Sequence, residues 1–179
     1  MIRANEAIRR EVEELQERMV AGMQMRNAEI FMKVFGSASG SSSIGIEQDS
    51  IHIGTISLQR DMEELFKGVE SINIKFGWNT IQATEDGQIV WMAANSTMTM
   101  KKTGYKLQNV PLRMTFIMER NPEGHLLISH LHFSTASTII YEVDDAPVSN
   151  DSTNEHAGQE ASAPVAASNN DDGIFYDIP

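Results

Sequence analysis

The sequence predicts an α+β fold in which helices come first and an antiparallel sheet follows. Two observations support this prediction. Apolar residues recur at helical spacing as far as about residue 71, and from Ile72 to Tyr141 they alternate with a period of two. Short turn sequences, Asp-Gly and Asn-Pro, interrupt the alternating part. Because elements in this order form layers, we expect the helices to pack on one face of a strongly curved sheet.

The first predicted helix begins after Asn5, a residue that can cap it. Its apolar positions form one stripe: Ile8, Val12, Leu15, Met19 and Met23. The stripe would also suit a coiled-coil seam, but it is short for one, and packing on the sheet is the preferred interpretation.

Two further helices are predicted before the sheet. Asn27 can cap a short second helix. Its inward residues are Ile30, Phe31, Val34 and Phe35. Residues 57–71 form the third, which would bury Leu58, Met62, Leu65 and Phe66. Between these two helices, residues 36–45 are rich in Gly and Ser and are expected to form a flexible loop.

Four strands are predicted after the helices, at residues 72–84, 89–101, 111–120 and 125–138, with hairpin turns at 85–88 and 121–124. On the first strand, alternation places four residues on one face: Ile72, Ile74, Phe76 and Trp78. On the last strand, one face is predicted to carry Ile128, His130, His132 and Ser134. The opposite face would carry Leu127, Leu131 and Phe133.

The end of the chain has a different composition. Residues 1–142 are predicted to form the folded domain, and residues 143–173 form an acidic, low-complexity linker. That linker is expected to be disordered alone, because it buries too little apolar surface to offset its ordering. Residues 174–179 end the chain with an apolar cluster: Ile174, Phe175, Tyr176 and Ile178. Such a cluster after a polar tether is typical of a partner-docking motif, and a chance hydrophobic ending is the alternative.

The charge is unevenly distributed. The net charge is −11, yet residues 1–141 carry 14 basic and 16 acidic residues, whereas the last 38 carry nine acidic residues and no basic one. A nearly neutral body without a basic stripe disfavours nucleic-acid binding. The chain contains no apolar run of the roughly 20 residues that cross a bilayer and begins with a charged helix, so we expect no membrane association and a cytoplasmic location. The absence of cysteine excludes disulfides and cysteine nucleophiles.

Several local stretches resemble those of a known family. They are NAEIFMKVF, SIHIG before the third helix, GQIVWMAANSTM, and VPLRMTFIMERNPEGHLLISHLHFS, and with their spacing they extend over residues 5–141. In these stretches the chain resembles the nuclear transport factor 2-like (NTF2-like) superfamily, specifically its SnoaL-like branch. It is more distantly similar to the association domain of calmodulin-dependent kinase II.

The resemblance implies a cone in which three helices wrap a sharply curved sheet around an internal pocket. It also implies a homodimer, since members of the superfamily commonly pair sheet to sheet. The superfamily includes isomerases, dehydratases and cyclases as well as non-enzymatic domains, so the fold alone does not identify an activity.

The candidate catalytic residues are His130 and His132, because imidazole titrates near neutral pH and can act as a general base. A metal ion would need a third and a fourth ligand. His52 and His125 fall in turn or edge positions, and no Asp or Glu lies inside the predicted strands. We therefore predict no metal and no cofactor, and proton abstraction would depend on histidine alone.

Arg113 is the leading candidate for ligand contact. Burial of an arginine is costly unless it is paired, and the carboxylate of a ligand could be its partner. Pairing with Glu119 or Glu14 is the alternative. The candidate ligand-binding residues are Arg113, Thr115, Trp78, Trp91, Asn95 and Ser134, and all but Trp78 are expected to converge with the two histidines inside the cone. Trp78 and Trp91 would form an aromatic wall for an apolar ligand, and a plain core position is the alternative. The reverse assignment of the sheet faces stays open, because alternation does not identify the inner face when both faces are covered.

These features predict a homodimeric domain that binds a small apolar or carboxylated molecule, or that serves in assembly, with the C-terminal tail contacting a partner or neighbouring subunit. The alternative is a cofactor-independent isomerase, dehydratase or cyclase that acts on a hydrophobic substrate with a pocket histidine as base, Arg113 or Thr115 stabilising an oxyanion. An open cavity of roughly 300 Å³ or more with a histidine inside would favour the enzyme. A core filled by Trp, Phe and Met would exclude it.

Overall fold

The computed structural model describes residues 1–36, 40–46 and 50–135. In these ranges, α1 spans Glu6–Gln24, α2 Ala28–Met32 and α3 Thr55–Gly68. Both predicted caps are confirmed: Asn5 Oδ1 accepts a hydrogen bond from the Ile8 N–H, and Asn27 Oδ1 accepts one from the Ile30 N–H, each at 2.9 Å. The predicted stripe of α1 is buried, and Gln16 of α1 contacts Met92 of the sheet through its Nε2 and Sδ atoms at 3.2 Å. The helix therefore packs on the sheet, as expected.

The strands of the described residues form one sheet of seven. They are β1 (Ile2–Arg3), β2 (Ser42–Ile44), β3 (Ile51–Ile53), β4 (Val69–Ala83), β5 (Ile89–Lys102), β6 (Gln108–Arg120) and β7 (Leu126–Thr135). Their order across the sheet is β1-β4-β5-β6-β7-β2-β3. The α+β class and the four long strands are as predicted.

The prediction of a flexible loop at residues 36–45 is wrong for its last part. Ser42–Ile44 is β2, which pairs in parallel with β7 and antiparallel with β3, so the sheet is mixed. Serine has little intrinsic preference for strands. Residues 42–44 form a strand because the backbone groups along the edge of β7 need hydrogen-bond partners. This pairing is distant in sequence, so the local sequence does not predict it.

The two faces of the sheet differ in what covers them. On β5 the even-numbered residues are buried against the helices: Val90, Met92, Ala94, Ser96, Met98 and Met100. We call this the helix face. The odd-numbered residues of β5, such as Trp91 and Asn95, point to the other side, which we call the open face.

Two β-bulges change the predicted alternation. Met118 pairs with Ile128 but Ile117 pairs with His130, so Ser129 is the extra residue. Ile128 therefore lies on the helix face, fully buried, and the prediction that it shares a face with His130 is wrong.

The second bulge lies in β4, between Phe76 and Asn79. Trp78 falls within this bulge and is 66% exposed, so the prediction that it joins Ile72, Ile74 and Phe76 on one face is also wrong. An extra residue reverses the direction of every side chain after it, because the strand period is two.

The predictions for the chain's end, including the acidic linker 143–173 and the cluster of Ile174, Phe175, Tyr176 and Ile178, lie outside the described residues.

Candidate functional site

An open cavity of about 510 Å³ lies between the helices and the helix face of the sheet. Its walls are mainly apolar. They include Met23 of α1, Leu58, Met62 and Leu65 of α3, Ile72, Ile74, Met98 and Met100 of β4 and β5, and Phe133 of β7. A volume of this size is within the range of small-molecule sites. The core is therefore not filled by its large side chains.

A histidine and several polar groups line one end of this cavity. They are His52 of β3, Ser43 of β2, Ser50 just before β3, and Asp61 of α3. Ser43 and His52 are paired residues in the β2–β3 register. Two short strands and one helix thus bring these groups together from three separate parts of the sequence.

His52 points inward and its apolar neighbours on β3 point outward, which reverses the usual polarity of a strand. His52 is 7% exposed, whereas its neighbours Ile51 and Ile53 are 62% and 81% exposed. Gly54 has a φ of 83°, a conformation that favours glycine, and it leads the chain directly from β3 into α3. The first turns of α3 then bring Asp61 against His52.

His52 and Asp61 form a hydrogen-bonded pair. The distance from His52 Nε2 to Asp61 Oδ2 is 3.1 Å, and Ser50 Oγ is 3.4 Å from the same nitrogen. Because a carboxylate only accepts hydrogen bonds, we assign the imidazole proton to Nε2. Nδ1 then carries a lone pair, and it makes no hydrogen bond with the part of the chain that the structure describes. The imidazole is held by a carboxylate on one side and is able to accept a proton on the other.

Ser43 adds a hydroxyl group to the same end of the cavity. The residue is 3% exposed and lines the cavity, and its hydroxyl has no hydrogen-bond partner among residues 1–36, 40–46 and 50–135. This hydroxyl is therefore free to donate a hydrogen bond to a ligand in the cavity. A polar atom of a bound ligand would satisfy it.

The residues that the sequence singled out lie elsewhere. Thr115 pairs with His132, Arg113 with Ser134, and Asn95 with Arg113, all on the open face. Trp91 and His130 flank Ile117 on the same face. None of these residues, nor the exposed Trp78, is among those lining the 510 Å³ cavity.

The interpretation that placed His130, His132, Arg113, Thr115, Trp91, Asn95 and Ser134 inside the cone is therefore wrong in its choice of face. The reverse assignment is the correct one. The side chains do share one surface, as alternation predicted, but that surface faces away from the helices.

On the open face, His130 interacts with the neighbouring strand β2 and with His132. Its Nδ1 lies 2.8 Å from Ser42 Oγ. Burial, and to a lesser extent the charge of His132, lowers the pKa of His130 below its ordinary value of 6.5. Arg113 is exposed and forms no ion pair within the described ranges, so the expected pairs with Glu119 or Glu14 are not formed there.

Within the described residues, no group of three or more His, Asp and Glu side chains is arranged to hold a metal ion. In the same ranges, no helix is both long and apolar enough to cross a membrane.

Sequence reasoning missed His52 and Asp61 as a pair. The stretch SIHIG contained a signal, since a histidine between two isoleucines on a short strand must point opposite to them. The sequence did not indicate that Ile51 and Ile53 would be exposed and His52 buried.

Comparisons with known proteins agree with the fold described above. The sequence profile of the SnoaL-like domain family matches residues 12–138. A search of curated proteins gives no match. An NTF2-like superfamily protein from Salmonella enterica serovar Typhimurium superposes with a TM-score of 0.67 at 14% identity, covering 75% of this chain and 95% of that one.

Two further solved structures are similar. A proposed dehydratase of the NTF2-like family from Streptomyces avermitilis has a TM-score of 0.62 at 13% identity, and the match covers 72% of this chain and 96% of that one. A proposed calcium/calmodulin-dependent protein kinase II association domain from Xanthomonas campestris has a TM-score of 0.64 at 18% identity, with 78% and 97% covered. At these identities, the likeness shows the fold alone.

Proposed function

Because this chain belongs to the SnoaL-like domain family of the NTF2-like superfamily, we propose that it binds a small hydrophobic molecule in the 510 Å³ cavity and catalyses a cofactor-independent proton transfer on it. The reaction class is that of an isomerase, dehydratase or cyclase. One observation carries the proposal: a buried imidazole, His52, is hydrogen-bonded to the carboxylate of Asp61 at the end of an apolar cavity.

The lining indicates the chemical class of the ligand. Methionine, leucine and isoleucine side chains form most of the walls, which favours an apolar body and suits ligands of varied shape. Glu64 and Lys102 add charged groups to the lining, and Ser43 and His52 lie together, where Ser43 offers a hydroxyl donor and His52 a basic nitrogen. A hydrophobic ketone, oriented with its carbonyl oxygen toward Ser43, would satisfy both groups.

The proposed step is an enolisation. His52 Nδ1 takes a proton from the carbon next to the ligand carbonyl. The electron pair of that C–H bond forms a carbon–carbon double bond, and the π electron pair of the carbonyl moves onto its oxygen. The Ser43 hydroxyl stabilises the resulting enolate by a hydrogen bond. Asp61 accepts from Nε2–H throughout and stabilises the imidazolium until the proton returns to a carbon or leaves with a departing hydroxyl group. No redox partner is required.

This proposal adopts the enzymatic alternative with a different base. An open cavity of roughly 300 Å³ or more with a histidine inside it was expected for an enzyme and not for a purely binding or assembly domain. A volume of about 510 Å³ with His52 at its edge supports the enzyme over the purely binding or assembly domain.

The test is deuterium exchange at the enolisable carbon of 2-tetralone in D₂O, followed by proton NMR. We expect the full-length protein to accelerate exchange above the buffer rate, and His52→Gln to lose about 100-fold or more of that acceleration. The matched control is His125→Gln, which removes an exposed imidazole from the turn before β7 and should leave the rate unchanged. Equal rates for the wild type and His52→Gln would refute the proposal.

Met62→Trp separates binding from chemistry. It should fill the cavity and abolish both tetralone binding and exchange, whereas His52→Gln should abolish exchange with binding retained.

We also propose that the open face pairs with a second copy of the chain. On this face the half-buried Trp91 and Ile117 are paired residues of β5 and β6, and the exposed Trp78 lies in the β4 bulge opposite Asn95. Apolar surface of this kind, surrounded by polar groups such as Arg113 and Asn95, is typical of protein interfaces. In this proposal the predicted ligand-binding residues of the open face contact the other subunit.

Light scattering coupled to size exclusion tests this pairing. We expect a dimer mass for the wild type and a monomer mass for Trp91→Lys, because an unpaired charge would be buried at the centre of the interface. A wild-type protein that elutes as a monomer at micromolar concentration would contradict the pairing.

A further inference from the structure

A serine and a histidine on the open face are hydrogen-bonded to each other. Ser42 of β2 pairs with His130 of β7 in the parallel register, and the distance from Ser42 Oγ to His130 Nδ1 is 2.8 Å. Both residues are partly exposed. Neither is among the residues that line the 510 Å³ cavity, so the proposed proton transfer gives this pair no role.

The hydrogen bond of this pair suits a serine that donates and a histidine that accepts. In a neutral imidazole one ring nitrogen carries the proton and the other accepts. Burial lowers the pKa of His130, and the charge of His132 adds to this effect, so the ring is neutral at pH 7. With the ring proton on Nε2, Ser42 donates its hydroxyl proton to Nδ1. This is the arrangement of a nucleophile and its general base.

Exposed isoleucines flank the serine on the same face. The central residues of β2 and β3 line the cavity, so the residues on either side of each point to the open face. Ile53 is the β3 residue paired with Ser42, and it is 81% exposed. Ile44 and Ile51 form the next pair, and they are 37% and 62% exposed. An apolar patch therefore lies beside the hydroxyl, where it can contact the hydrocarbon chain of a substrate.

We propose that Ser42 and His130 are the nucleophile and the general base of a second catalytic site, which hydrolyses esters of apolar carboxylic acids. The acyl chain lies against Ile44, Ile51 and Ile53, and the ester carbonyl lies over Ser42 Oγ. This activity goes beyond the proposed proton transfer and does not depend on it, because the two sites are on opposite faces of the sheet.

The first half of the reaction transfers the acyl group to the serine. Ser42 Oγ forms a bond to the ester carbonyl carbon while its proton moves to His130 Nδ1, and the π electron pair of the carbonyl moves onto its oxygen. His132, whose charge acts on His130, can donate a hydrogen bond to that oxygen from its imidazole. When the carbonyl re-forms, the C–O bond to the alcohol breaks, and the alcohol leaves with the proton from His130.

Water completes the reaction. His130 takes a proton from a water molecule, and the water oxygen forms a bond to the acyl carbon. The bond from that carbon to Ser42 Oγ then breaks, and the proton returns to the serine. The products are a carboxylic acid and an alcohol, so the step needs no oxidant or reductant.

The test of the nucleophile is irreversible labelling of the full-length protein with an alkyl fluorophosphonate, whose phosphorus bonds to a reactive serine as fluoride leaves. Peptide mass spectrometry identifies the labelled residues. We expect labelling of Ser42 about tenfold or more faster than labelling of Ser71, an exposed serine of β4. His130→Gln should lower the rate at Ser42 about 100-fold or more. The matched control Ser71→Ala should leave the rate at Ser42 unchanged.

The apolar patch is tested through the length of the acyl chain. Ile53→Asn changes a residue that is 81% exposed, so the fold should be retained. We expect it to lower hydrolysis of p-nitrophenyl hexanoate about fivefold or more and to leave hydrolysis of p-nitrophenyl acetate unchanged. The matched control is Ile2→Asn on β1, at the other end of the sheet, where the isoleucine is 51% exposed. This control should change neither rate.

Trp91→Lys is labelled in parallel, because pairing of two copies through the open face would cover Ser42. A label on Ser42 in either protein, at the expected rate, supports the inference. Labelling of Ser42 no faster than that of Ser71 in both proteins would overturn it. An unchanged rate at Ser42 in a His130→Gln protein that is folded by circular dichroism would also overturn it.

Discussion

The substitution Gly22→Ala has two opposing effects on the stability of the fold, and their magnitudes can be compared. Gly22 lies near the end of α1, where α1 meets α2. A Cβ placed on it would be 2.6 Å from the backbone nitrogen of Phe31 and 2.7 Å from its Cα. These distances are shorter than any ordinary contact. Because the obstacle is backbone and not the tip of a side chain, α2 must move away from α1.

The favourable effect is helix propensity, since alanine within a helix is about 1 kcal/mol better than glycine. The unfavourable effect is overpacking, which costs typically 1–3 kcal/mol and more when backbone must shift. We expect the cost of overpacking to exceed the gain in helix propensity, so that the free energy of unfolding falls by about 1–2 kcal/mol. For a protein of this size, that corresponds to a Tm lower by about 2–8 °C.

Urea denaturation followed by circular dichroism measures this change. The matched control is Gly68→Ala at the end of α3, where an added Cβ would meet nothing within 4 Å. We expect the control to be neutral or slightly stabilising. A Gly22→Ala protein as stable as the wild type would refute the conclusion that α1 and α2 are in backbone contact here. Since Met23 lines the cavity, we also expect weaker ligand binding in Gly22→Ala.

Two further predictions concern charged groups. Arg120 forms a bidentate pair with Glu11 of α1, at 2.7 Å and 2.9 Å, and this contact raises the pKa of Arg120. A double-mutant cycle with Arg120→Met and Glu11→Gln should give a coupling energy of about 1–2 kcal/mol. A coupling energy near zero would contradict the contact. The lowered pKa of His130 means that the folded protein binds fewer protons than the unfolded chain at acid pH, so its contribution to stability is present above about pH 6.5 and is lost as the pH falls. Urea denaturation at pH 7.5 and 5.5 should therefore show a smaller loss for His130→Gln than for the wild type, and equal losses would exclude this histidine as a cause.

Much of the fold was predictable because its signals are local. Asn5 and Asn27 cap their helices with their own side chains, and the stripe of α1 depends only on residues three and four positions apart. The four long strands follow from alternation and from turn residues. The family resemblance is confirmed by the SnoaL-like profile over residues 12–138.

The candidate site was harder to predict, because it depends on long-range pairing. The strand β2 exists only where β7 and β3 flank it. The extra residue Ser129 separates Ile128 from His130 and reverses the face that simple alternation assigns. No pattern in the sequence of α3 indicates that Asp61 would meet His52.

The sequence by itself determined the three helices, the four long strands, which side chains share a strand face between bulges, and which family the chain resembles. Tertiary structure alone decided which face the helices cover, and with it the separation of His130 and His132 from the cavity and the inward position of His52. The physical reason is that periodicity divides side chains into two sets but carries no information about what packs on each. Only the contacts of the helices with the sheet, such as Gln16 with Met92, identify the inner set.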